Sequence, residues 1–139
     1  MIGFDVNFVG VIVGAVLAMA VGYIWFGPLF GKEWMKLKGI TSEMMKKEKN
    51  SSSMGMTYGM TFVGLLVTAF VLSAFIGSLG EKTLTGGAMV AVLAWVGFVF
   101  PMAGMNALFS KTPTKLFIID VFHYLAALLL MGAAIGYFG

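Results

Sequence analysis

The chain has 139 residues, of which 60% are hydrophobic and 11% charged, and a formal net charge of +3. Those proportions exclude a soluble globular domain and indicate one integral membrane domain. Cysteine and arginine are both absent, which removes disulfides, thiolate metal sites and cysteine nucleophiles, and argues against a phosphate or nucleotide site built on guanidinium forks.

Four apolar segments, at 6–26, 56–76, 84–109 and 116–138, reach the roughly 20 residues that an α-helix needs to cross about 30 Å of hydrocarbon. They predict an all-α fold, a bundle of four transmembrane helices. The first follows "MIGFDVN", which has no lysine and carries Asp5. It is therefore expected to be a retained span, despite the small-x-small "AMA" at 18–20. Along it Gly10, Gly14, Ala18 and Gly22 recur at every fourth position, a ridge that lets another helix approach closely. Gly55 with Gly59, and Gly132 with Gly136, repeat the spacing. Packing inside one bundle and contact with a second copy both use such ridges, and the small internal surface of four spans favours a homo-oligomer.

The first span ends in "YIWFGPLFGKEW". Tyr23, Trp25, Phe26, Phe30 and Trp34 form an aromatic belt, and Gly27-Pro28 is expected to stop the helix. Phe30, Trp34 and Leu37 then fall at i, i+4, i+7 with Lys32 and Lys36 on another face, which predicts a short amphipathic helix at the membrane surface. Trp25, Gly27, Pro28, Phe30 and Trp34 read as an interfacial anchor, or alternatively as a gate or substrate funnel. A polar helix with Thr41 or Ser42 as N-cap follows, then a flexible "NSSS" link at 50–53.

Six of the nine lysines lie at 32–49, within the loop 28–54; Lys111 and Lys115 lie in "SKTPTK", and Lys82 alone in the middle link. The positive-inside rule then puts the first and third links in the cytoplasm and both termini outside the inner membrane. This distribution suits a lipid surface rather than nucleic acid. A faint likeness between "PLFGKEWMKLKGI" (28–40) and "ALFSKTPTKLFII" (107–119) is too thin to build on.

Pro101 is expected to kink the third span, and Thr112 to cap the fourth with Pro113 at its first position. Inside the fourth span stands "DVFHY", residues 120–124. Counting at 1.5 Å per residue puts Asp120 roughly 10 Å and His123 roughly 15 Å along the helix. A charged aspartate at such depth costs on the order of 3 kcal/mol, so it should face protein or a water-filled cavity. Asn106 and Thr61, the latter sharing a face with Thr57 and Thr68, lie in the same half of the bilayer. The expected polar cluster is Asp120, His123, Tyr124, Asn106 and Thr61. One reading makes it a site for a proton, cation or small polar solute in permeation; the other makes it hydrogen-bonded glue in a non-transporting scaffold.

The methionines of "MGMTYGM" (54–60) with Met102 and Met105 invite copper, but they also serve as ordinary apolar filler. Haem would need a second axial ligand beside His123. No triad order, metal-ligand spacing or phosphate loop is present. No catalytic residue, metal or cofactor is therefore expected, and the expected partners are the lipid bilayer, a second copy and a small ion or solute.

At "YIWFGPLFGKEWMKLKGI" (23–40) and "KLFIIDVFHYLAALLLMGAAIG" (115–136) the chain resembles an uncharacterised family of small bacterial membrane proteins, domain-of-unknown-function family 1761. The resemblance spans nearly the whole chain. It implies four helices with an aromatic-Gly-Pro break after the first, and asparagine where this chain has Asp120. It implies no activity.

Overall fold

The computed structural model describes residues 6–49 and 53–139. Asp5 and the link at 50–52 lie outside them. Among the described residues every regular element is helical.

Helix α1, Phe8–Ile24, is capped by Asn7, whose side-chain oxygen accepts from the Gly10 N–H at 3.3 Å. It does not stop at Gly27-Pro28. The chain widens into a π-helical turn, Trp25–Leu29, in which the Phe30 N–H reaches the Trp25 carbonyl at 2.8 Å. The i→i+5 bond tolerates Pro28, which has no N–H to offer. Helix α2, Gly31–Lys38, ends at Gly39 with φ +71°, the left-handed cap that glycine adopts without a Cβ penalty. Helix α3, Ser42–Lys49, is capped by Thr41, whose hydroxyl accepts from the Met44 N–H at 3.2 Å.

Helix α4 runs Ser53–Leu79 and α5 runs Leu84–Ala94, the latter capped by Thr83. Pro101, unlike Pro28, lies just beyond a π-helical turn and not within it. A second π-helical turn, Trp95–Val99, precedes it, and α6, Phe100–Phe109, carries it in its first turn. Helix α7 is Thr114–Phe138, with Pro113 at the N-cap position and no side-chain cap. Thr112 is thus not the cap, because the proline lies one place earlier than expected and takes that position itself.

Four helices are long and apolar enough to cross a membrane: Phe8–Leu29, Met54–Leu79, Leu84–Phe109 and Thr114–Phe138. Large apolar side chains face outward along all of them, among them Phe8, Val67, Leu93 and Leu130. In water they would form patches far beyond those of a soluble monomer; lipid accepts them.

Helix α7 is the axis of the bundle, with α1 and α5 running antiparallel to it on two sides. A Cβ on Gly10 would lie 2.8 Å from the Ile135 Cα, one on Gly14 3.0 Å from the Met131 side chain, and one on Gly22 3.3 Å from His123. The register therefore pairs 10 with 135, 14 with 131 and 22 with 123. The whole ridge of the first span is used inside the chain and is not open to a second copy. On the other side Gly87 packs on Gly132 and Gly136, and Gly136 on the Thr83 carbonyl, with backbone against backbone. Gly55, Gly59 and Gly64, by contrast, have nothing within 4 Å of a built Cβ.

These close approaches make the end that carries Asn7 and Gly139 tight, with Ile76, Met131 and Ile135 fully buried. Helix α4 joins the bundle from its middle onward, where Leu65 and Leu66 pack against the core and Ala69, Leu72, Ser73 and Ile76 are buried at i, i+3, i+4, i+7. Its first half faces outward, with Met56, Tyr58, Met60 and Val63 exposed. The opposite end, where α2, α3 and the 110–113 turn lie, is correspondingly looser.

Candidate functional site

The looser end is held by indoles. Trp25 Nε1 donates to the Ile119 carbonyl at 3.0 Å, Trp34 Nε1 to Asp120 Oδ1 at 3.2 Å, and Trp95 Nε1 to the Val121 carbonyl at 2.9 Å. The chain's three tryptophans thus converge on three consecutive residues of α7. A helical carbonyl keeps a second lone pair beyond its own ladder bond, so each indole is satisfied without breaking α7. Trp25 and Trp95 also open the two π turns, each in a Trp-x-Gly triplet (25–27 and 95–97). That shared triplet in two antiparallel neighbours of α7 was the signal available in sequence, and it was missed.

The expected cluster forms only in part. Asp120, Tyr124 and Asn106 line one cavity of about 250 Å³, together with Thr112, Ala103, Ala107, Phe117 and Val121. Asp120 is half-buried, and Asn106 accepts from the Ser110 hydroxyl at 3.5 Å. His123 makes no hydrogen bond with Asp120 among the described residues. Its ring lies among aromatic rings, with centroids 4.7 Å from Phe26, 5.4 Å from Tyr124 and 6.3 Å from Trp25, in the space that Gly22 leaves open.

Thr61 is not in the cluster. It is exposed and donates to the Thr57 carbonyl at 2.7 Å, as Thr68 does to Gly64 at 3.0 Å. A threonine that bonds its own preceding turn needs no partner from another helix, so an outward face of α4 can hold these residues. Met56, Met60, Met102 and Met105 likewise face outward, so apolar surroundings account for them. Among the described residues no three His, Cys, Asp or Glu side chains come together.

The residues read as an interfacial anchor divide. Gly27, Pro28 and Phe30 are exposed, but Trp25 and Trp34 turn their N–H groups onto α7. Helix α2 is therefore docked on the bundle. Glu33 pairs with Lys115 at 3.0 Å, and the Lys38 ammonium lies 4.8 Å over the Trp34 ring. The Lys115 hydrogen bond, then its charge, hold the Glu33 carboxyl below its ordinary pKa of 4.5.

At the tight end, Asn7 and Ser73 form a second polar contact that sequence reading passed over. The Asn7 N–H donates to the Ser73 hydroxyl at 2.9 Å and the Asn7 amide to the Ile135 carbonyl at 3.3 Å. They line a smaller cavity of about 140 Å³ with Lys82. Neither residue stood out, because an isolated asparagine before a span and a serine within one carry no pattern.

Four long apolar helices, three of them packed around the axial fourth, define a multi-pass membrane protein with a half-buried carboxyl group beside a cavity at one end. The family model described as "Protein of unknown function (DUF1761)" matches residues 9–136, and the chain belongs to that family. Comparison with curated proteins and with solved structures gave no match.

Proposed function

We propose that the loop-end cavity takes up a small cation or polar solute from the cytoplasm as one step of its permeation. The observation that carries this reading is the wall of the cavity. Asp120, Asn106, Thr112 and Tyr124 line one space of about 250 Å³, room for roughly eight waters at about 30 Å³ each. A bundle needing polar residues only as glue would close over them. The lysines of α2, α3 and the 110–113 turn lie at this end, and by the positive-inside rule that distribution supports a cytoplasmic orientation with both termini outside.

The route is not a standing pore. Beyond Val121 the axis is filled by Leu128, Met131 and Ile135, all buried, and α1 and α5 press on α7 through glycines. Passage requires helices to move apart, so the reading is a carrier-like binding step. Purified protein in proteoliposomes tests it. Saturable flux of a cation or polar solute that Asp120→Asn abolishes, with unfolding temperature kept, supports the reading. No flux across inorganic cations, organic ammonium ions and neutral polyols overturns it.

One observation favours the scaffold reading. The Trp34 bond to Asp120 joins α2 to α7, as a purely structural carboxyl would. In that case Asp120→Asn lowers stability and changes nothing else.

A further inference from the structure

We infer that the occupant of this cavity is a small organic ammonium ion, with Asp120 as its counter-charge and the rings of Tyr124 and Phe117 as its apolar walls. The inference rests on the solute-binding reading above and names its chemical class.

The donors in the wall decide between classes. An anion in the cavity would lie against the only acidic side chain within the spans described, and no basic side chain lines the cavity to offset it. A neutral solute would leave the carboxylate without a counter-charge in a half-buried place. A bare metal cation needs about six oxygen ligands. The lining offers side-chain oxygen only from Asp120, Asn106, Thr112 and Tyr124, while Ala103, Ala107, Phe117 and Val121 contribute carbon. One of these oxygens, Asp120 Oδ1, already accepts from Trp34.

An alkylammonium ion has the opposite needs. Its charge is satisfied by one carboxylate, and its methyl or methylene groups gain from aromatic faces through cation–π attraction. The remaining oxygen of Asp120, with Tyr124 and Phe117 in the same wall, supplies both. A volume of 250 Å³ is below the roughly 300–1,000 Å³ of pockets for drug-sized ligands, which selects ions of the size of tetramethylammonium or choline.

A built-in competitor is Lys38 of α2, beside the Trp34 that bonds Asp120. It makes no ion pair with the carboxyl and instead lies over Trp34. An incoming ammonium therefore has no salt bridge to displace.

The test is binding to the full chain in lipid nanodiscs, followed by calorimetry and tryptophan emission with tetramethylammonium, choline, sodium, potassium and glycerol as probes. The expected result is saturable binding of the two organic ions, at least about tenfold tighter than sodium or potassium, and none of glycerol. Asp120→Asn keeps an acceptor for Trp34 and should preserve the fold while weakening both organic ions by about tenfold or more. Tyr124→Leu, which keeps the helix, should weaken tetramethylammonium more than it alters the unfolding temperature. Tighter binding of sodium, potassium or glycerol than of the organic ions overturns the ammonium assignment and leaves solute uptake standing. Binding of the organic ions that Asp120→Asn does not change also overturns it. Silence from all five probes overturns both readings.

Discussion

Alanine at Gly87 should separate what helix propensity does from what packing does. In an isolated helix Gly→Ala stabilises by up to about 1 kcal/mol. At Gly87, however, the new Cβ meets the carbonyl of Gly132, which is backbone of the axial helix and cannot rotate away. Helices α5 and α7 must part, and overpacking of this kind costs about 1–3 kcal/mol. The net expectation is a loss of about 1–2 kcal/mol. Gly64→Ala is the paired control. It lies in the interior of α4 with nothing within 4 Å of its built Cβ, so only the propensity gain remains. Equilibrium unfolding in mixed micelles, read by far-UV circular dichroism, should move the two variants in opposite directions. A Gly87→Ala protein as stable as the parent would refute the close α5–α7 approach. A destabilised Gly64→Ala would mean that this face of α4 is covered by another molecule.

Three further outcomes are expected. Trp95→Phe removes a buried hydrogen bond worth about 1 kcal/mol and leaves a void of a few tens of Å³ worth about as much again, so it should cost about 2 kcal/mol by the same unfolding assay. Trp25→Phe, from a half-buried position, should cost less than half of that. Glu33 has a lowered folded pKa because Lys115 favours its charged form. The pair therefore contributes stability above the ordinary value near 4.5 and loses it as pH falls through the lower folded value. Glu33→Gln should lower the unfolding temperature at pH 7 and match the parent once pH is well below that range, and 1 M salt should shrink the difference because the pair is exposed. Finally, Thr61→Val should leave both stability and solute binding near parental values, since its hydroxyl is satisfied within α4.

Particular residues show why some features were legible in sequence and others were not. Asp120 could be read as facing away from lipid because the cost of exposing a carboxylate to hydrocarbon is a property of the side chain and its depth. Thr61 could not be placed, because a hydroxyl that can bond its own helix is indifferent to which way the helix is turned. His123 was expected in one polar cluster with Asp120, yet the space left by Gly22 and the rings of Trp25 and Phe26 hold it elsewhere. Gly10, Gly14, Ala18 and Gly22 were plain as a ridge; only the register with Met131 and Ile135 shows that the ridge belongs to the inside.

Hydropathy and length alone determined four spans, since hydrocarbon leaves a backbone no alternative to a helix of some 20 apolar residues. The capping role of the residues at 41–42 was likewise a local matter of side-chain oxygens, whereas the passage of the helix through Pro28 in a π-helical turn, in place of the expected stop, was not legible. Which helix is axial, that three indoles meet at 119–121, and that Asp120 shares a cavity with Asn106 and Tyr124 were decided by tertiary structure. Those facts depend on how helices distant in sequence are rotated and spaced, and in an apolar solvent many rotations satisfy the same hydropathy until close glycine contacts select one.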